Sequence, residues 1–195
     1  MADFVLIRHG ESTYNRLNLL NGDPSVAVGL SELGRSQCSA LAATIGTMVW
    51  GSTWTTRFLR TKESLALMAP GNADAGEVSA LDDIDVGTFE GRPIEEFRAW
   101  RRNRGFDDIA PDGESLEDVV DRYAAGFTWL LVHAARPALV ITHDQPIRFA
   151  MNSLAGDDPI AGTLRKVPNA VPYPFSAVAL ELAARRLADH RIEEH

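Results

Sequence analysis

Two short apolar runs, each followed within two residues by a histidine, constrain the fold of this chain more than any other feature. The first run covers residues 4–7 and leads into His9, and the second covers residues 138–142 and leads into His143. Continuous apolar runs of this length are typical of strands that are buried on both faces, as in a parallel sheet. Ligands of such sheets bind beyond the carboxyl ends of the strands, so we expect both histidines to lie at one crevice.

Helical stretches alternate with the strands, which predicts an α/β layer architecture. Ser31 and Ser115 are each placed to act as the N-cap of a helix. The remaining predicted elements are a strand over residues 50–56, a helix over 58–68, a short helix over 94–102, a loop marked by Pro168, Pro172 and Pro174, and a final strand over 177–182.

Length and composition limit the class of protein. The chain has 195 residues, which predicts a single domain over residues 1–195 with a short cap at about 92–112. Its net charge of −8 argues against nucleic acid as a partner, because that affinity comes mostly from a basic surface. No apolar run approaches the ~18 residues that a membrane span needs. The N-terminus lacks a basic segment followed by a long apolar one, so we expect a cytoplasmic protein.

Two histidines and nearby arginines at one crevice suit phosphoryl transfer. A neutral imidazole is a good nucleophile toward phosphorus and splits one difficult displacement into two easier ones. Arginines bind phosphate oxygens through a planar fork and stabilise the charge of the transferred group. A carboxylic acid must then protonate the leaving oxygen. A metal site built from His9, His143 and an aspartate lacks helical histidine spacing and a cysteine ligand, so we expect no metal and no cofactor.

A series of short motifs in a fixed order carries a stronger signal. The motifs are Arg8-His9-Gly10-Glu11-Ser12 followed by Asn15, and residues 30–37, 58–61, 87–91, 113–116 and 140–143. Together they closely resemble the motifs of the histidine phosphatase superfamily, the phosphoglycerate-mutase-like proteins. This resemblance implies a three-layer α/β sandwich with a mostly parallel central sheet and helices on both faces. It also implies a small phosphorylated substrate and leaves a homodimer possible.

The resemblance assigns roles to individual residues. His9 matches the histidine that becomes phosphorylated, and Arg8 and Arg60 match the arginines that hold the phosphoryl oxygens. His143 matches the second histidine, which stabilises the transferred group. Asn15 and, with a weaker match, Asn21 are implied to contact the phosphate.

The proton donor is where this chain departs from the family pattern. Asp83 stands where a glutamate is usual, with Asp82, Asp85 and Glu90 as neighbouring alternatives. Asp144 follows the second histidine, where the mutase-like branch commonly has glycine and the acid-phosphatase branch has its aspartate donor. Asp144 is therefore the alternative to Asp83 as proton donor and is expected to contact the substrate. The simpler interpretation of Asp144 is that it forms the N-cap of the next helix.

The family contains phosphatases, mutases and catalytically weak regulators. Only a short cap segment lies between residues 91 and 113. A short cap favours an open site where water attacks a phosphohistidine. We therefore expect a phosphomonoesterase, with a mutase-type phosphotransferase or a non-catalytic phosphate-binding module as alternatives. The basic cluster of residues 98–104 suggests extra negative charge on the substrate, and Trp100 and Phe106 suggest an apolar or ring portion.

Overall fold

The computed structural model describes residues 2–71 and 74–190 of the chain. Within them the elements follow each other as β1 (Phe4–Arg8), α1 (Thr13–Leu17), α2 (Glu32–Ile45), β2 (Ser52–Thr55), α3 (Leu59–Met68), β3 (Gly76–Glu77), α4 (Ile94–Arg101), α5 (Leu116–His133), β4 (Ala138–Thr142), α6 (Asp144–Ala155), β5 (Pro172–Phe175) and α7 (Ala177–Ala188). Among these helices none is both long enough and apolar enough to cross a membrane.

The two predicted buried strands lie side by side in the centre of one sheet. The strand order is β3-β2-β4-β1-β5, and all neighbouring pairs are parallel except β1 and β5. Arg8 at the end of β1 pairs with Thr142 at the end of β4, and the His9 amide donates to the Thr142 carbonyl at 3.0 Å. The register therefore brings His9 and His143 together at the carboxyl edge, as predicted.

Side chains of β1 and β4 alternate between two hydrophobic cores, because successive residues of a strand point to opposite faces. Leu6 and Val140 belong to the core that is shared with α5, α6 and α7. Ile7 and Ile141 belong to the core that is shared with α2 and α3. Helices thus cover both faces of the sheet, which confirms the predicted three-layer α/β fold.

The predicted helix starts are present. The Ser31 side chain accepts a hydrogen bond from the Gly34 amide, and the Ser115 side chain accepts one from the Asp118 amide. Each bond satisfies one of the amides that the first turn of a helix leaves without a partner. These two caps set where α2 and α5 begin.

The predicted strand over residues 177–182 is wrong, since this segment is the start of α7. The Ser176 side chain caps the helix at the Ala179 amide, and the buried Leu180 and Ala184 have helical spacing. The last strand is instead β5, inside the predicted proline loop. Because β5 pairs only with β1 at the edge of the sheet, its two prolines, which lack an amide hydrogen, are tolerated there.

Candidate active site

A cleft of about 480 Å³ opens at the carboxyl edge of the sheet. Its wall includes the predicted site residues Arg8, Asn15, Asn21, Arg60, Asp83 and Asp144. The rings of the two buried histidines meet edge to face, with their centroids 5.3 Å apart, and both contact Arg60. The structure therefore brings six of the predicted site residues to the cleft wall and places the two histidines directly behind it, against Arg60.

His9 is held in one orientation by its own backbone neighbour. Its Nδ1 lies 2.6 Å from the Gly10 carbonyl oxygen, which can only accept, so Nδ1 carries the proton. Nε2 is then left with a lone pair and accepts from Arg60 Nε at 3.0 Å. Burial, together with the positive charges of Arg60 and Arg8, holds the pKa of His9 well below its usual range. The ring is neutral at pH 7, as a nucleophile must be.

Arg60 connects the groups of the site. Its side chain is 2% exposed and its guanidinium stacks over the Phe58 ring at 4.1 Å. The guanidinium donates to His9, to Asp83 Oδ2 at 3.1 Å and to the side-chain and main-chain oxygens of Asn21. Desolvation lowers the pKa of Arg60 and the charge of Asp83 opposes that effect. Arg60 is thus a buried cation that His9 and Asp83 hold in place at the cleft wall, where it can bind an anion.

His143 is completely buried behind Arg60. Its Nε2 lies 2.9 Å from Thr56 Oγ1, and its Nδ1 lies 3.2 Å from Arg60 Nη2 and 3.6 Å from Asp83 Oδ2. Burial, followed by the charge of Arg60, holds the pKa of His143 well below its usual range. Like His9, this ring is neutral in the free protein at pH 7.

Arg8 lines the cleft at the carboxyl end of β1. Its Nη1 donates to the Val167 carbonyl at 2.6 Å and lies 3.5 Å from Asp144 Oδ1. Its Nε is buried and has no hydrogen-bond partner within the described residues. A buried donor without a partner costs free energy, so this Nε is available for an anion in the cleft.

Asp83 is the carboxylate next to the histidines. Its side chain is 27% exposed, its Oδ2 accepts from Arg60, and its Oδ1 accepts from the Ile84 amide at 3.2 Å. Desolvation raises the pKa of Asp83 despite the opposing charges of Arg60 and Arg8. A carboxyl group with a raised pKa remains protonated at higher pH than a free one, which suits proton donation.

Asp144 is engaged on both carboxylate oxygens. Oδ1 accepts from the Val167 amide at 2.6 Å, and Oδ2 accepts from Arg148 Nε at 3.1 Å. Together with the ion pair to Arg8, these contacts brace the loop before β5 against the site. The interpretation of Asp144 as a helix N-cap is wrong, because His143 occupies the cap position and Asp144 is the first residue of α6.

Asn15 and Asn21 reach the cleft in different ways. The Asn15 side chain accepts from the Ser12 amide in a reciprocal cap of α1. Asn21 donates to Glu90 Oε1 at 2.8 Å, while the other Glu90 oxygen accepts from the amides of Gly22 and Asp23. Glu90 is thus occupied in holding the loop that supports Arg60, which removes it as a free acid.

The predicted basic cluster contributes only one side chain to the cleft. Arg98 lines it, together with Phe97 of the same helix α4, while Arg101 and Arg104 donate to backbone carbonyls outside it. Trp100 and Phe106 do not line the cleft but pack against the core, so their predicted role against the substrate is wrong.

Sequence reasoning missed three cationic residues of the cleft, one on α6 and two in the loop that follows it. Arg148, Arg165 and Lys166 all line the cleft. Arg165 and Lys166 are exposed and have no hydrogen bond or ion pair with the described part of the chain. The adjacent basic pair in an acidic chain was the available signal. Within residues 2–71 and 74–190, no group of three His, Cys, Asp or Glu side chains is arranged to hold a metal ion.

A neutral histidine between arginines, at the carboxyl edge of a parallel sheet, defines the class of α/β proteins that handle phosphoryl groups. The chain belongs to the histidine phosphatase superfamily (branch 1), whose sequence profile matches residues 4–174.

Relatives match over nearly the whole chain. The uncharacterized phosphatase PhoE of Bacillus subtilis is 26% identical over 100% of this chain and 97% of its own length. The 2,3-bisphosphoglycerate-dependent phosphoglycerate mutase 2 of Gloeobacter violaceus is 28% identical over 90% of this chain and 85% of its own. The structure of the alpha-ribazole phosphatase of Shigella flexneri superposes with a TM-score of 0.74 at 17% identity, covering 87% of each chain, and shows the shared fold. Phosphatase-named relatives in this superfamily support a hydrolase role.

Proposed function

We propose that this protein is a phosphomonoesterase that acts on a small phosphorylated metabolite through a phosphohistidine intermediate. The observation that carries the proposal is the Nε2 lone pair of His9, which is directed at Arg60 by the proton on Nδ1. An incoming phosphoryl group would compete for the same guanidinium. Its binding would release the lone pair at the moment when the phosphorus atom arrives.

In the first step His9 Nε2 attacks phosphorus and the bond from phosphorus to the ester oxygen breaks. Arg60 and the unpartnered Nε of Arg8 stabilise the charge on the equatorial oxygens. Asp83, with its raised pKa, donates its proton to the leaving alkoxide, so a neutral alcohol departs. In the second step the Asp83 carboxylate takes a proton from water, and the hydroxide attacks the phosphohistidine. Inorganic phosphate leaves and His9 is neutral again.

Hydrolysis is favoured over transfer by the form of the cleft. The predicted cap at residues 92–112 contains the single short helix α4, of which Ile94, Phe97 and Arg98 line the cleft. A mutase must exclude water while the phosphoryl group returns to its substrate. A wall of one eight-residue helix supports water entry instead. The relationship to a mutase keeps the phosphotransferase as the alternative.

Rapid quench in alkaline denaturant after mixing with a radiolabelled sugar phosphate tests the proposal. We expect a protein-bound label that is labile in acid and stable in base, together with free inorganic phosphate as the final product. A label that moves to a second hydroxyl of the substrate, without net release of phosphate, would show a mutase. Binding without any covalent label would show a non-catalytic phosphate-binding module.

The substitution Arg60→Ala is expected to lower kcat by about 10²–10³-fold, because it removes donors to charge that develops in the transition state. Arg60→Lys is the matched control that keeps the charge, and it should restore only part of the activity, since an ammonium cannot reproduce the fork. Steady-state kinetics with p-nitrophenyl phosphate measures both. Full activity of Arg60→Lys would contradict a bidentate role.

The free cations at the rim predict substrate preference. We expect the double substitution Arg165→Gln/Lys166→Gln to raise KM about three- to tenfold for phosphomonoesters with a second anionic group, at low salt. It should leave KM for p-nitrophenyl phosphate unchanged. The control Lys62→Gln/Arg185→Gln removes the same charge from positions outside the cleft. Equal effects of the two double variants on KM would show that only net charge matters.

A further inference from the structure

The hydrogen bonds behind His143 have only one consistent set of directions. The hydroxyl groups of Thr56 and Thr61 and the His143 ring form a chain in which every member is completely buried. Thr61 Oγ1 lies 2.8 Å from the Phe58 carbonyl oxygen and 3.2 Å from the Thr56 carbonyl oxygen. Both carbonyls can only accept, so the single hydroxyl hydrogen of Thr61 is donated to the backbone.

The rest of the chain follows from that first bond. Thr61 Oγ1 lies 3.1 Å from Thr56 Oγ1 and has no hydrogen left to give, so Thr56 donates to Thr61. Thr56 Oγ1 then has no hydrogen for the ring, which lies 2.9 Å away. His143 Nε2 must therefore be the donor, and the neutral ring carries its proton there.

The other side of the ring leads independently to the same tautomer. Nδ1 faces Arg60 Nη2 at 3.2 Å, and a guanidinium nitrogen can only donate. A proton on Nδ1 would place two donors against each other, whereas a lone pair there accepts the bond. The two histidines thus use opposite nitrogens, His9 protonated on Nδ1 and His143 on Nε2, and both direct a lone pair at Arg60.

We infer that Thr56 and Thr61 act as positioning residues that hold His143 as an acceptor in the free site, so that binding of a phosphoryl dianion is coupled to the uptake of one proton by Nδ1. This inference rests on the proposed function, in which the phosphoryl oxygens replace the contacts of Arg60. An anionic oxygen is repelled by the Nδ1 lone pair, and the Nε2 proton is already committed to Thr56. A proton between Nδ1 and the oxygen turns this repulsion into a charge-assisted hydrogen bond.

The balance of the binding step is simple. Neutral His143, the phosphoryl dianion and one proton give a histidinium and a bound dianion, so the net charge of the site changes by −1. No bond to phosphorus forms or breaks. The charged and titratable groups that act on His143 are His9, Arg60, Arg8, Arg122 and Asp83. Asp83 is the competitor for the proton, because its Oδ2 lies 3.6 Å from Nδ1.

Nitrogen-15 NMR of the imidazole rings tests the inference without any turnover. In the free protein at pH 7 we expect His143 to show a protonated Nε2 and an unprotonated Nδ1, and His9 to show the opposite pattern. Sulfate, a dianion that does not itself titrate in this range, is the probe. At saturation both nitrogens of His143 should be protonated. The sulfate association constant should fall close to tenfold per pH unit while the free ring is neutral and the bound ring is charged.

Matched variants separate the threonine chain from a general effect of packing. Thr61→Val is nearly isosteric and frees the Thr56 hydrogen to turn toward the ring, so the Nδ1-protonated tautomer should appear and the pH slope for sulfate should become shallower. Thr61→Ser keeps the hydroxyl and should behave like the wild type. Asp83→Asn removes the competing carboxylate and should leave the protonation of His143 on sulfate binding intact.

The outcomes that contradict the inference differ from those that contradict the proposed function. A free His143 protonated on Nδ1, or sulfate binding that leaves Nδ1 unprotonated, would overturn the inference. A pH slope that is lost in Asp83→Asn would assign the proton to Asp83 and overturn it as well. Failure of sulfate to perturb either histidine would instead argue against the phosphate site itself.

Discussion

His9→Ala should lower kcat by ~10³-fold or more on every phosphomonoester that the wild type hydrolyses. The reason is structural. His143, the other histidine in contact with Arg60, is completely buried and directs its Nδ1 at Arg60 and its Nε2 at Thr56. No second nucleophile is therefore available at the site. Steady-state kinetics and labelling after an alkaline quench measure the loss of turnover and of phosphohistidine together.

His133→Ala is the matched control for this prediction. His133 is exposed on α5, where its Nδ1 meets the Trp129 carbonyl at 2.8 Å, far from the cleft wall. Its substitution should leave activity unchanged. If His9→Ala kept a tenth of the wild-type rate, the covalent mechanism would have to be abandoned in favour of direct attack by water.

Asp83→Asn should slow hydrolysis of alkyl phosphates by about 10²–10⁴-fold and hydrolysis of p-nitrophenyl phosphate far less. An alkoxide needs a proton as it leaves, whereas p-nitrophenolate does not. Asparagine keeps an oxygen for Arg60 but has no proton to give. The raised pKa of Asp83 fixes the direction of the pH effect, because the acid works only when protonated. Wild-type activity on alkyl phosphates should therefore fall as pH rises through that pKa. The activity of the variant should not show this decline.

Asp144→Asn supplies the comparison that separates the two candidate acids. Both Asp144 oxygens already accept hydrogen bonds, from the Val167 amide and from Arg148. We expect a modest loss of activity that is equal for alkyl and nitrophenyl esters. The cause would be weaker contacts of residue 144 with the loop at Val167 and with Arg8. Stronger dependence on the leaving group in Asp144→Asn than in Asp83→Asn would transfer the role of acid to Asp144. Pre-steady-state bursts with p-nitrophenyl phosphate would reveal a slowed dephosphorylation step that steady-state rates conceal.

The sequence by itself determined the framework of the site. The buried runs of β1 and β4 could be read locally, because a strand covered on both faces needs an unbroken series of apolar residues. Their carboxyl ends then placed His9 and His143 at one edge of the sheet. The ordered motifs added Arg60 and Asp83, and the structure brings both to the same cleft. Segment 177–182 was predicted as a strand from its apolar alternation, but the Ser176 cap and the packing of its buried residues against α5 and α6 select the helix.

Only the tertiary structure determined the hydrogen-bond partners and the protonation state of each group in the site. The hydrogen bonds that commit Asp144 come from Arg148 and Val167, and the bond that sets the tautomer of His143 comes from Thr56, which directly follows β2. The choice between Asp83 and Asp144 as acid depends in the same way on burial and on neighbouring charge. Protonation states depend on distance and desolvation, which fall off within a few ångströms in space and have no relation to separation along the chain. A sequence pattern therefore indicates which residues meet, and the fold sets their chemistry.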